Sequence, residues 1–168
     1  MSNDIQIRLS KVCVLIVDDD PVVRMLIRDA LKALGFENTL VASDGHTAFG
    51  LLNKHMVDIV FTHWVMEPMD GIEMTRRIRS VLPDHKRTVP VIMLSGKSDK
   101  EDVEIARDAG VTEYLIKPFS VQQVCKRVQA VVEAPREFVV CKTYVGPDRR
   151  RRKKDGVEER RKKNLKKI

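Results

Sequence analysis

Three consecutive carboxylates, Asp18-Asp19-Asp20, follow the apolar run Val12–Val17. The strand-like run Val57–Thr62 leads into His63, Val91–Leu94 leads into Ser95-Gly96, and Glu113–Ile116 leads into Lys117-Pro118. Brought together, such residues would handle ions. Carboxylates gathered at one rim repel each other, and a hard cation relieves that repulsion. A lysine beside them neutralises an anion, and a hydroxyl hydrogen-bonds a phosphoryl oxygen. A second cluster lies near the C-terminus, where Tyr144-Val145-Gly146-Pro147-Asp148 runs directly into Arg149–Arg152. Arginine pairs bidentately with phosphate and with planar base edges, and Tyr144 adds a stacking face.

The elements that must position these residues can be read from periodicity and capping. Val12–Val17 is continuous enough in apolar character for a strand buried on both faces. Asp20-Pro21 supplies an N-cap and a first-turn proline for a helix over Val22–Leu34, which Gly35 stops. A strand is expected near Thr39–Ala42. Asp44 then caps a helix to about Lys54. Val57–Thr62 is the next strand, followed by a loop through Glu67-Pro68-Met69-Asp70-Gly71 and a helix over Ile72–Val81. Strand Val91–Leu94, helix Asp99–Ala109 closed by Gly110, strand Glu113–Ile116 and helix Phe119–Val132 complete the series. Five strands alternating with five helices predict an α/β fold, a parallel sheet covered on both faces with right-handed crossovers. Sites in such sheets form beyond the carboxyl ends of the strands, where the first cluster lies.

Charge divides the chain. From residue 135 onward there are 14 Lys+Arg against 5 Asp+Glu, or +9; residues 1–134 hold 17 basic and 19 acidic residues, or −2. A mildly acidic globule with a basic appendage points to an anionic partner. No apolar run approaches a membrane span, and the polar start MSND has no signal-peptide pattern, so a cytoplasmic protein is expected. Cys13, Cys125 and Cys141 have no metal-ligand spacing and read as reduced thiols. His46, His55 and His85 have no partner spacing. No phosphate-cradling glycine loop, zinc-ligand set or Ser/His/Asp order is present, and no enzymatic activity is expected.

Over residues 11–134 the chain resembles the response-regulator receiver family. VLIVDDDPVVR is similar to the family's first strand and acidic pair, DIVFTHWVMEPMDG to its third strand and acceptor loop, VIMLSG to its fourth strand, and YLIKPF to its fifth. The resemblance implies a flavodoxin-like, five-stranded parallel sheet of order 2-1-3-4-5. It also implies roles for particular residues. Asp18 and Asp19 match the magnesium-holding pair, Ser95 the switch hydroxyl, Tyr114 the switch aromatic, and Lys117 the lysine that contacts the phosphoryl group. The peptide from Lys117 to Pro118 is cis in the family. His63, however, stands where the family has its phosphorylated aspartate, and Glu67-Pro68 stands where Pro-Gly is usual. Asp58, Glu67 and Asp70 are not in line with the Lys117 site. An acyl phosphate cannot form on imidazole, so no aspartyl phosphorylation is expected, and magnesium loses a hard anionic ligand. One histidine and two aspartates also suit a transition metal. The preferred reading is His63 hydrogen-bonded to Asp18 or Asp19.

The domain reading is a lead over residues 1–10, a receiver over 11–134 and a basic tail over 135–168, disordered when unbound. Tyr144, Gly146, Pro147, Asp148, Arg149, Arg150, Arg151 and Arg152 resemble the arginine-rich extension of chemotaxis-type receivers that bind cyclic di-GMP. In that group the body docks onto a protein partner such as the flagellar motor switch. The expectation is therefore a non-catalytic signalling adaptor, with cyclic di-GMP as ligand and a motor switch, kinase or other signalling protein as partner. Two alternatives stand beside it: a tail that binds nucleic acid or another polyanion, and a receiver still driven by phosphorelay.

Overall fold

The computed structural model describes residues 9–141 and 144–148. Its centre is a five-stranded parallel sheet in the order β2-β1-β3-β4-β5, built from β1 (Cys13–Val17), β2 (Asn38–Ala42), β3 (Ile59–His63), β4 (Val91–Ser95) and β5 (Glu113–Ile116). The flavodoxin-like order expected from the resemblance is the observed one. Between the strands run α1 (Pro21–Ala33), α2 (Gly45–Lys54), α3 (Gly71–Val81), a four-residue helix α4 (Asp84–Arg87) and α5 (Lys100–Asp108). Helix α6 (Val121–Glu133) follows β5.

Alternation along the strands sorts the core into two faces. Val14 and Ile16 pack with Ile27, Leu31, Phe36, Val124 and Val128 on one side. Leu15 and Val17 pack with Leu52, Met74 and Ile78 on the other. The side-chain caps read from the sequence hold, with Asp20 accepting from the Val22 amide and Asp44 from Thr47; Asp70, read only as loop, also caps a helix by accepting from Glu73.

Several boundaries shift by one or two residues from expectation, and one helix was not foreseen. Ser120 forms a capping box with Gln123, so α6 starts at Val121 rather than Phe119; reciprocal side-chain bonding at a serine fixes the first turn. Asp99 is the residue preceding α5, which runs Lys100–Asp108. The added helix α4 carries Lys86, whose ammonium donates to the carbonyls of Leu52, Asn53 and His55 at 2.8, 2.9 and 3.2 Å. This cation satisfies carbonyls at the C-terminal end of α2, where intrahelical donors run out.

The largest correction concerns the tail. Its first part is not disordered: β6 (Phe138–Cys141) and β7 (Tyr144–Pro147) pair as an antiparallel hairpin. The hairpin is fastened to the body by Arg79, a buried residue of α3. The Arg79 guanidinium donates twice to Gly110 O (3.1 and 2.8 Å) and once each to Arg87 O and Val89 O (both 2.7 Å). It also lies 5.0 Å from the centre of the Phe138 ring. Burial pushes its pKa down to about 9, opposed by nearby Tyr144; it therefore stays charged at neutral pH. Gly110 (φ +94°) and Gly146 meet where β7 crosses this clasp. A Cβ on Gly110 would stand 2.9 Å from Val145 O, and one on Gly146 would stand 2.9 Å from the Gly110 α-carbon.

Arg79→Ala strands three buried carbonyls and is expected to lower unfolding free energy by about 3 kcal/mol, measured by urea denaturation. Arg79→Lys should recover only part of this, because a single ammonium lacks the guanidinium's planar fork. Gly110→Ala should cost about 1–3 kcal/mol.

Candidate functional site

Strand register assembles the rim. Val17 pairs with Thr62, His63 with Leu94, and Ser95 with Ile116. The carboxyl ends of β1, β3, β4 and β5 therefore finish level, and Asp18, His63, Ser95 and Lys117 arrive at one edge. Gly71 is needed beside them: a Cβ there would run into His63 O and stand 2.8 Å from Thr62 Oγ1. Its amide donates to Trp64 O at 2.8 Å, closing the loop after β3.

Asp18 is fully buried. Its Oδ2 accepts from the Lys117 ammonium at 2.8 Å and its Oδ1 from the Asp20 amide at 3.0 Å. His63 Nδ1 lies 2.8 Å from Asp19 Oδ1 and 3.8 Å from Asp18 Oδ1. An ionised carboxylate only accepts, so the ring donates through Nδ1–H. Arg24 donates to the carbonyls of Asp18 and Asp19 from the first turn of α1. Desolvation raises the Asp19 pKa, but the His63 hydrogen bond, a backbone bond and the charges of His63 and Lys117 outweigh it, and the carboxyl sits below its ordinary value.

The acidic pair thus already has side-chain donors from the chain itself, Lys117 on Asp18 and His63 on Asp19. Asp18, Asp19 and His63 present ligand atoms within 4.8 Å of one another. Magnesium asks for oxygen ligands in octahedral geometry, and here one donor is an imidazole nitrogen while the best-placed carboxylate oxygens face Lys117 and His63. The residues present do not fit magnesium. The other acids lie elsewhere: Asp58 bonds the Cys13 amide at 2.8 Å, Asp70 caps α3, and Glu67 is exposed beside a cis peptide to Pro68. The Lys117–Pro118 peptide is cis, as the resemblance implied.

Ser95 and Tyr114, which match the family's switch positions, are both tied to Lys97. Ser95 is buried, and its Oγ accepts from the Lys97 amide at 3.0 Å. The Tyr114 hydroxyl donates to Lys97 O at 2.9 Å. Burial raises the Tyr114 pKa, Ser95 hydrogen bonding lowers it and the Asp102 charge raises it, with a net increase. Trp64 meets Tyr114 edge-on at 6.3 Å and carries the Lys97 ammonium 4.5 Å over its ring. Sequence reasoning missed Trp64 and Lys97, whose one signal was an aromatic directly after the acceptor position.

Family comparison agrees with this geometry. The description of the response regulator receiver domain matches residues 14–129. The chain belongs to the response regulator receiver family. The chemotaxis protein CheY of Pseudomonas aeruginosa is 34% identical over 120 residues, 71% of this chain and 95% of that protein. The transcriptional regulatory protein PdtaR of Mycobacterium tuberculosis is 35% identical over 125 residues, 74% of this chain and 58% of that protein. Among solved structures, CheY4 of Vibrio cholerae superposes with a TM-score of 0.67 at 27% identity, covering 71% of this chain and 98% of its own. The receiver domain of the sensor histidine kinase PA1611 of Pseudomonas aeruginosa, with magnesium coordinated in its active-site cleft, gives 0.65 at 28% identity, covering 72% and 97%. Among the described residues no helix is long and apolar enough to cross a membrane.

The second predicted cluster is only partly on view. Tyr144 donates to Pro147 O at 2.9 Å within the hairpin, and Gly146 and Pro147 are buried. The Asp148 amide donates to Glu137 O at 2.7 Å. Of the residues predicted as ligand contacts, Gly146 packs against the Gly110 α-carbon within the hairpin. Arg149, Arg150, Arg151 and Arg152 lie outside the described residues.

A carboxylate with a depressed folded pKa contributes stability above its unfolded pKa, and that contribution is lost as pH falls through the folded value. Melting temperature should therefore fall as pH drops below about 4, and His63→Ala, which deletes the Asp19 hydrogen bond, should flatten part of that acid limb in a pH series.

Proposed function

We propose that this receiver is a non-catalytic signalling adaptor that has given up aspartyl phosphorylation and takes its input through the basic tail. The observation that carries the reading is the His63–Asp19 bond at the end of β3. An imidazole stands at the acceptor position, and its partner is one of the acids that would otherwise hold a cation. Imidazole forms no acyl phosphate, and Asp58 and Asp70 are committed to other bonds.

The tail supplies the alternative input. Four successive arginines follow Asp148, and the segment from residue 135 carries +9. Cyclic di-GMP offers two guanines and two phosphates, each with a face or edge that arginine binds. Its binding would adjust how the receiver body docks on a protein partner. The flagellar motor switch is the partner of choice, in keeping with relatives named as chemotaxis proteins. A second reading, nucleic acid on the tail, is favoured by the same charge and by a relative named as a transcriptional regulatory protein.

Calorimetric titration at near-physiological salt separates the two. Saturable cyclic di-GMP binding in the micromolar range, lost in Arg149→Ala/Arg150→Ala, is the expected outcome. Duplex-DNA binding that collapses steeply as salt rises, with no nucleotide binding, would instead favour a generic polyanion tail.

A further inference from the structure

The loop between β4 and α5, residues 96–99, is exposed throughout. Its local supports are few. Asp99, the residue before α5, makes no side-chain cap bond, and a Cβ on Gly96 would meet open space. A stretch of this kind opens locally at little cost. Yet Lys97, its second residue, is held at its amide, its carbonyl and its ammonium. The amide donates to Ser95 Oγ at 3.0 Å, and the carbonyl accepts from the Tyr114 hydroxyl at 2.9 Å. The ammonium lies 4.5 Å over the centre of the Trp64 ring and 3.5 Å from Asp102 Oδ1.

The ring beneath the ammonium is a fixed platform. Trp64 is buried, its amide donates to Leu94 O at 2.9 Å, and its carbonyl accepts from the Gly71 amide at 2.8 Å. It packs with Ile72, Met93, Ala106 and Val111 and meets Tyr114 edge-on. Tryptophan offers a cation the best face of any side chain, and the attraction grows where water is excluded. Asp102, in the first turn of α5, holds the same ammonium from the helix side. A partly exposed ion pair is weak by itself and is screened by salt. The buried ring adds a second contact on a support that does not move. One ammonium thus joins the residue after β3, the β4–α5 loop and α5.

We propose that Lys97 is a latch: its ammonium, laid on the Trp64 ring, sets the β4–α5 loop in one arrangement and thereby fixes Tyr114 and the start of α5. The Tyr114 hydroxyl bonds a loop carbonyl, so that bond lasts only while the loop stays closed. Lifting the ammonium leaves Ser95 and Tyr114 bonded to an exposed loop that has lost its side-chain anchor. The loop then opens more often. Opening frees the Tyr114 hydroxyl and the first turn of α5 together, which changes the surface that β5 and α5 present. The latch is therefore a two-state element, and a partner shifts it by binding one of the two arrangements more tightly.

The test reads hydrogen exchange by mass spectrometry on the full chain, together with acrylamide quenching of Trp64, the one tryptophan of the sequence. Lys97→Met keeps the aliphatic stem and removes the ammonium; Lys97→Arg keeps the charge. Lys97 is exposed, so both variants should fold, and a melting curve checks each. Lys97→Met should speed exchange at residues 97–103 about threefold, raise the quenching of Trp64 and leave the melting curve near the parent's. Lys97→Arg should behave as the parent does, and Asp102→Asn should fall between the parent and Lys97→Met. Equal exchange in Lys97→Met and the parent would overturn the latch, as would Lys97→Arg exchanging as fast as Lys97→Met. An Asp102→Asn effect as large as that of Lys97→Met would overturn the part given to the ring.

Discussion

The link between Asp18 and Lys117 spans the rim of the sheet. It joins the end of the first strand to the end of the last, at 2.8 Å, with the carboxylate fully buried. A buried carboxylate left alone would be costly, so the rim is viable only with cationic or donor groups around it. Lysine supplies one and the His63 ring supplies the other through Asp19. In a phosphorylated receiver that balance would await a cation and a phosphoryl group. Here Lys117 and His63 bond the two acids, and Ser95 and Tyr114 are fastened to the adjoining loop through Lys97.

Most of this body was legible in the sequence because local signals agree with the global fold. Apolar runs marked the strands, and Asp20 and Asp44 marked helix starts by a side-chain bond that only short polar residues make. The rim was legible because parallel strands place their ends together. Other features were not legible, for physical reasons. Arg79 looks like a surface residue by type, although its spacing from Ile72 and Thr75 places it on the buried face of α3. The hairpin has no Asn-Gly or Asp-Gly between its strands, only Lys142-Thr143, and such dipeptides are the main short-range hairpin signal. Its Phe138 meets Arg79 and its Gly146 meets Gly110, partners distant in sequence, so no local window contains the reason for it.

The hairpin changes the layout of the molecule. It docks beside Gly110, where the chain enters β5, while the acidic rim with His63 lies where the strands leave the sheet. Two ends of one sheet therefore carry two different chemistries. The rim holds carboxylates locked by a histidine and a lysine. The opposite end holds the hairpin and an apolar cleft beside it. The two are connected through β5, which carries Glu113 at one end and leads into Lys117 at the other.

The central claim, that the rim has left phosphotransfer, is tested most directly by intact-mass measurement after incubation with a small acyl phosphodonor and magnesium. The expected result is an unmodified parent chain and a stoichiometric adduct of about 80 Da, one phosphoryl group, on His63→Asp. A stoichiometric adduct on the parent chain, lost when Asp18 or Asp19 is changed and insensitive to the loss of His63, would contradict it.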